Sequence, residues 1–203
     1  MIRRILIWDT PTRVFHWLQA LSFGVAYFTS DSERYRDIHI AFGYIMLGLI
    51  VFRLLWGFIG TSYARFSSFL FKPGEIVSYL MSLFSGRPEH YLGHNPAGSI
   101  AVWLLLSLGM FLSVTGVLAL QDDASDAVIE MHGLATDIML AVVFLHLAGV
   151  FVSSILHREN LVWSMITGFK SSQSGTGVQR AFNWLGLVML IAVVAFAFYY
   201  LRS

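Results

Sequence analysis

Five long apolar runs, at about residues 14–29, 38–60, 98–120, 128–156 and 182–201, constrain this chain more than any other feature. A helix needs about 20 apolar residues to cross the hydrocarbon core of a bilayer. Inside lipid every backbone N–H and C=O must be bonded within the protein, so helices are the structure such runs can take. The composition agrees, with 57% hydrophobic and 12% charged residues in 203 and a mean hydropathy of +0.69. An all-α integral membrane protein is expected, with the first run the shortest of its spans. Between the second and third runs, residues 72–86 carry Pro73 in a first helical turn and an amphipathic stretch, which predicts a short interfacial helix. Residues 170–177, KSSQSGTG, read as a polar, flexible linker. The expected organisation is thus a four-helix bundle over 1–170, a linker over 171–181 and an additional transmembrane helix over 182–203.

Charge gives the orientation. Ten of the 13 Lys and Arg residues, Arg87 among them, fall on the side of the N-terminus, against Arg34, Arg36 and Arg202 on the other. That bias predicts a cytoplasmic N-terminus and a periplasmic C-terminus in a multi-pass protein of the bacterial inner membrane. The opposite loops are acidic, with Asp31, Glu33 and Asp37 in one and Asp122, Asp123, Asp126 and Glu130 in the other; solvated loops are the plainer reading, a docking patch the sharper one. Asp9, Pro11 and Arg13 interrupt any signal-peptide core, so none is expected. A net charge of +1 gives no reason to expect nucleic acid. With no cysteine, thiolate-ligated haem, iron–sulfur clusters and disulfides are excluded.

Histidines carry the chemistry. His132 and His146 stand fourteen residues apart in the fourth run, which on a helix puts both rings on one face, about 21 Å apart in depth. Imidazoles in hydrocarbon are costly without a partner or a task. Bonds to backbone carbonyls would satisfy a single core histidine; for two at two depths, ligation of two haem irons fits better. Alternating spans then match the depths: His39 pairs with His132 towards the outer face, and His16 with His146 towards the inner one. Arg53, fourteen residues after His39, shares its face at the inner level and is a candidate for a haem propionate, as is Arg13, one turn before His16. Positive-inside anchoring is the bland alternative for both. Gly43 and Gly57, again fourteen apart, and Gly133 and Gly149 near the helix-four histidines, would offer flat surfaces to a porphyrin, although helix packing explains such glycines equally well. His90 and His94 precede the third span, where His94 reads as a loop-stabilising or quinone-side residue, and His157 reads as a surface residue.

The blocks WDTPTRVFHW (8–17), DIHIAFGYIMLGLIVFRLLWG (37–57), YLGHNPAGS (91–99) and MHGLATDIM with LHLAG (131–149) resemble the bacterial cytochrome b561 and nickel–iron hydrogenase cytochrome b family over roughly residues 5–170. The resemblance implies a di-haem b-type cytochrome of the respiratory chain, with axial ligands at His16, His39, His132 and His146, as the depth match has it. The fifth helix and its linker depart from the minimal four-helix member.

The expected function is transmembrane electron transfer between the quinone pool and a periplasmic redox partner, such as a hydrogenase-like enzyme or a cytochrome c. Two haems along the membrane normal, with irons about 20 Å apart, can bridge most of a bilayer. His94, Glu89, Asp137 and Glu130 are candidates for proton exchange with quinone. A stand-alone quinone oxidoreductase of the superoxide-oxidase type and a membrane anchor for a periplasmic enzyme are the alternatives, and a homo-oligomer is among the arrangements a bundle of this kind can adopt. A haem-free proton-relay transporter is disfavoured, because no inverted repeat and no paired broken helices occur.

Overall fold

In the computed structural model, which describes residues 3–85, 89–172 and 175–202, seven helices account for most of the chain. Gly86, Arg87 and residues 173–174 of the expected linker lie outside the described residues. The five expected spans become α1 (Thr10–Thr29), α2 (Arg36–Ile59), α4 (Pro96–Ala119), α5 (Asp126–Leu156) and α7 (Asn183–Tyr200). The interfacial helix is α3 (Pro73–Phe84). Four of the spans are long and apolar enough to cross a membrane on their own. α1 falls short because Arg13, His16 and Gln19 lower its hydropathy, and it compensates by packing against both α2 and α7.

The helix ends follow from their capping residues. Asp9 caps α1, accepting the Thr12 N–H at 2.7 Å, with Pro11 in the first turn where its missing donor costs nothing. Asn95 caps α4 in the same way, accepting from Gly98 N–H at 2.7 Å ahead of Pro96. Asp9 is fully buried and does more than cap: it accepts from Trp56 Nε1 at 3.1 Å and Thr61 Oγ1 at 2.5 Å. The start of α1 is thereby tied to the end of α2.

The spans alternate in direction, giving the bundle a basic end, where α1 begins, and an acidic end, where α2 begins. α2 packs against α1, α4 and α7, while α5 packs along α4. At the basic end the structure departs from the sequence reading. A seven-residue helix, α6 (Leu161–Thr167), follows α5, capped by Asn160 and ended by Gly168 in the left-handed conformation. Next comes β2 (Phe169–Ser172), which pairs antiparallel with β1 (Arg3–Leu6), Leu6 opposite Phe169. The expected linker therefore begins as a strand. Its Lys170 is buried, with Nζ 3.0 Å from Glu159 Oε2, and further on Val178 N–H bonds Leu6 O at 2.7 Å. Composition alone read this stretch as flexible because its strand partner lies at the other end of the chain.

α7 is likewise no loose appendage. Its Met189 packs with Ile45 and Leu49 of α2, and Thr10 Oγ1 donates to Asn183 Oδ1 at 2.6 Å. A Cβ on Gly186 would stand 2.6 Å from Thr10 Cγ2, so the absent side chain sets the approach of α7 to α1.

Two substitutions test this packing. Asp9→Ala strands the buried Trp56 donor and the half-buried Thr61 donor and removes a cap, and should lower stability by about 2–4 kcal/mol, read as the unfolding midpoint in detergent. Gly186→Leu should cost about 1–3 kcal/mol by overpacking the α1–α7 contact, in the same measurement.

Candidate functional site

Histidines meet across the bundle at two levels. Near the acidic end His39 of α2 and His132 of α5 face each other with ring centroids 6.2 Å apart and planes inclined by 75°. Near the basic end His16 of α1 and His146 of α5 do the same at 6.4 Å and 53°. Both pairs join α5 to the α1–α2 pair, beside the contact that Phe23 of α1 makes with the Leu112, Ala135 and Met139 cluster of α4 and α5. Two imidazoles bound on opposite sides of one metal, with bonds of about 2.0–2.1 Å, put their ring centres roughly 6 Å apart.

Hydrogen bonds fix which nitrogen of the outer pair is free. His39 Nδ1 lies 2.8 Å from Ala26 O, an acceptor only, so Nδ1 carries the proton. His132 Nδ1 lies 3.0 Å from Thr115 Oγ1, whose own proton goes to Phe111 O at 2.8 Å. Thr115 must therefore accept from His132. In both rings Nε2 keeps its lone pair, the arrangement of a metal-ligating histidine with its tautomer set by an outer partner. Gly116 makes room for this ring: a Cβ there would be 3.2 Å from His132 Cε1. Thr115 and Gly116 carry no motif of their own; a small and a hydroxyl residue at the level of a histidine pair is the signal that could have found them. At the inner pair His16 Nδ1 is buried without a hydrogen-bond partner.

The other predicted residues divide. Gly43, Gly133 and Gly149 present bare backbone, since a Cβ on any of them would meet no atom within 4 Å. Gly57 does not offer the flat surface expected of it, because the ring of Phe66 lies against it. Arg13 is also differently employed: Nη1 donates to Ile166 O at 2.6 Å and Nη2 to Thr10 Oγ1 at 2.8 Å, so it holds α6 to α1. That role depends on a helix the sequence reading missed. Arg53 is 3% exposed, with its guanidinium carbon 5.1 Å from the Phe66 ring centre and 5.9 Å from that of Phe69; its Nη1 has no partner.

His94 is wedged between Trp8 and Phe69, ring centroids 4.8 and 4.6 Å away, with a buried Nδ1 that bonds nothing. Burial, then the charges of Arg53 and Lys170, push it down to about 3, so it is neutral. His157 lies 5.4 Å from His90 rather than at the inner pair, and His90 Nε2 stands 3.7 Å from Glu159 Oε2. Burial and His90 lower His157, against the pull of Glu159. Asp137 is exposed on α5, and Glu89 accepts from Tyr91 Oη at 2.8 Å.

A family model described as Prokaryotic cytochrome b561 matches residues 7–168, the stretch that contains both histidine pairs. The chain belongs to this family. It is a b-type cytochrome of the membrane, a multi-pass electron-transfer protein that binds haem b. Among its relatives is a protein of Azotobacter vinelandii named "Probable Ni/Fe-hydrogenase B-type cytochrome subunit", 24% identical over 82% of this chain and 88% of the relative. A Rhizobium leguminosarum bv. viciae protein of the same name is 22% identical, with 81% and 87% covered. The "Probable Ni/Fe-hydrogenase 1 B-type cytochrome subunit" of Escherichia coli K12 is 21% identical, with 83% and 92% covered. No solved structure matches.

The side chains of this b561-family chain fit haem on three counts: ring separations suited to one metal between two imidazoles, free Nε2 lone pairs at the outer pair, and bare backbone at Gly43, Gly133 and Gly149.

Proposed function

We propose that this protein is a di-haem cytochrome that carries electrons across the bacterial inner membrane, between the quinone pool and a redox enzyme docked on the periplasmic side. The reading rests above all on one observation, the two histidine pairs 6.2 and 6.4 Å apart whose α5 members stand fourteen residues from each other. His39 and His132 hold one haem b and His16 and His146 the other. Haem iron supplies a one-electron couple whose potential is tuned by its axial ligands, burial and nearby charge.

The chain's own residues do the rest. Ala26 O and Thr115 Oγ1 orient the outer imidazoles and raise their basicity as ligands. α4 and α5 exclude water through the Leu112, Ala135 and Met139 cluster, which stands beside the outer pair. The excess of Lys and Arg at the basic end supports a cytoplasmic N-terminus and a periplasmic C-terminus. The hydrogenase in the relatives' names supports an enzyme of that class as the partner. Quinone exchanges two electrons and two protons, so its site must adjoin both a haem and a protonatable group.

Dithionite-reduced minus oxidised spectra of the purified protein should show b-type α-band absorption with two haems per chain; a colourless protein would refute the reading. His39→Ala and His132→Ala should each lose the same haem, and His16→Ala and His146→Ala the other, halving the haem-to-protein ratio in every case. Thr115→Val, which keeps the side-chain shape but removes the acceptor for His132 Nδ1–H, should weaken haem at the outer pair by about 10–100-fold in a haem titration and leave the inner pair untouched.

A further inference from the structure

We infer that Arg53 and His94 form a carboxylate seat at the basic end of the bundle, and that its occupant is a propionate of the haem held by His16 and His146. The inference rests on the two-haem reading above and adds to it the residue pair that receives the porphyrin's acid groups.

Arg53 is a buried cation with a donor left free, although Asp9 acts on it from a distance. It is 3% exposed in an apolar helix, and a guanidinium stays charged at any accessible pH. A buried charge without a partner costs several kcal/mol. Asp9 is the nearby acid, but its oxygens are taken by Thr12 N–H, Trp56 Nε1 and Thr61 Oγ1, and among the described residues Arg53 makes no ion pair. Nη1 is left with nothing to donate to. The rings of Phe66 and Phe69 lie 5.1 and 5.9 Å from the guanidinium carbon and offer its N–H groups no oxygen acceptor.

His94 supplies the second donor. Its ring is 4.6 Å from Phe69, the same ring that carries Arg53, and Trp8 fixes its other side. Its Nδ1 is as buried and as unpartnered as Arg53 Nη1. As a neutral imidazole it brings one N–H and no charge, so the pair balances one carboxylate. Lys170 also acts on His94, but Glu159 already holds its ammonium at 3.0 Å. The seat lies at the inner end: Trp8, against which His94 packs, immediately precedes the cap of α1, and α1 carries His16 in its second turn. Two donors converging on one carboxylate make charge-assisted bonds, about twice as strong as neutral ones. Trp8, Phe66 and Phe69 keep water from competing.

Redox-induced infrared difference spectra test this with the full chain loaded with haem carrying 13C at its propionate carboxyls. In a His132→Ala background only the inner haem contributes. The expected result is an ionised-carboxylate band that shifts in both Arg53→Met and His94→Leu, while Arg53→Lys, which keeps the charge, restores most of it. The bis-histidine optical spectrum of each variant shows that the haem is still in place. Label-dependent bands identical in parent and variants would overturn the seat, as would variant-sensitive bands that follow labelled quinone instead of labelled haem. Where a variant does not accumulate, protein of unchanged sequence made without haem is loaded with haem dimethyl ester. The inner site should then bind the ester at least about 10-fold more weakly than haem, and equal affinity would overturn the proposal. A parent protein with one haem or none would instead refute the two-haem reading itself.

Discussion

α5 meets α1 and α2 through imidazole rings. Its apolar packing runs mainly along α4, where Ala135 and Met139 join Leu112 with Phe23 of α1 against them, and much of its remaining surface is Leu, Ile, Phe and Val turned outward. In lipid such residues gain nothing by leaving the protein and little by entering it, so hydrophobic burial cannot choose where the helix sits. Polar groups decide instead. Four histidines, two of them with Nδ1 bonded to a backbone carbonyl or a threonine hydroxyl, fix the distance and the rotation of α5 against its neighbours.

What the sequence made legible follows from that. A helix of fixed rise and alternating spans turn residue spacing into depth, so the matching of His39 with His132 and His16 with His146 needed no packing detail. Arg53 could be placed at the inner level by the same arithmetic. Gly57 could not be read this way: whether bare backbone faces a cofactor or an aromatic ring depends on Phe66, which arrives from a loop after α2. Arg13 escaped for a similar reason, since its acceptor is a carbonyl 153 residues away.

The basic end was the least legible part because it is built from contacts between distant segments. Apolar runs and positive charge predicted where lipid begins but not that β1 and β2 pair, nor that Lys170 is buried against Glu159. Residues read as a flexible connection have high polarity and small side chains, yet backbone pairing uses neither. The local signals for α6 were present, in Asn160 as a cap and Gly168 as a stop, but seven residues are too few to carry a hydrophobic period. The same end holds Asp9, which caps α1 through Thr12 N–H, ties it to the end of α2 through Trp56 and Thr61, and leaves Arg53 without a direct carboxylate partner.

The pairing of β1 with β2 also orders events during biogenesis. Leu6 must wait for Phe169, roughly 160 residues later, before the strands can zip together. At ribosomal speeds of about 5–20 residues per second that is a delay of roughly 8–30 seconds. The helices bearing all four facing imidazoles are translated within it, so the strand pair at the basic end closes only after those helices have been made.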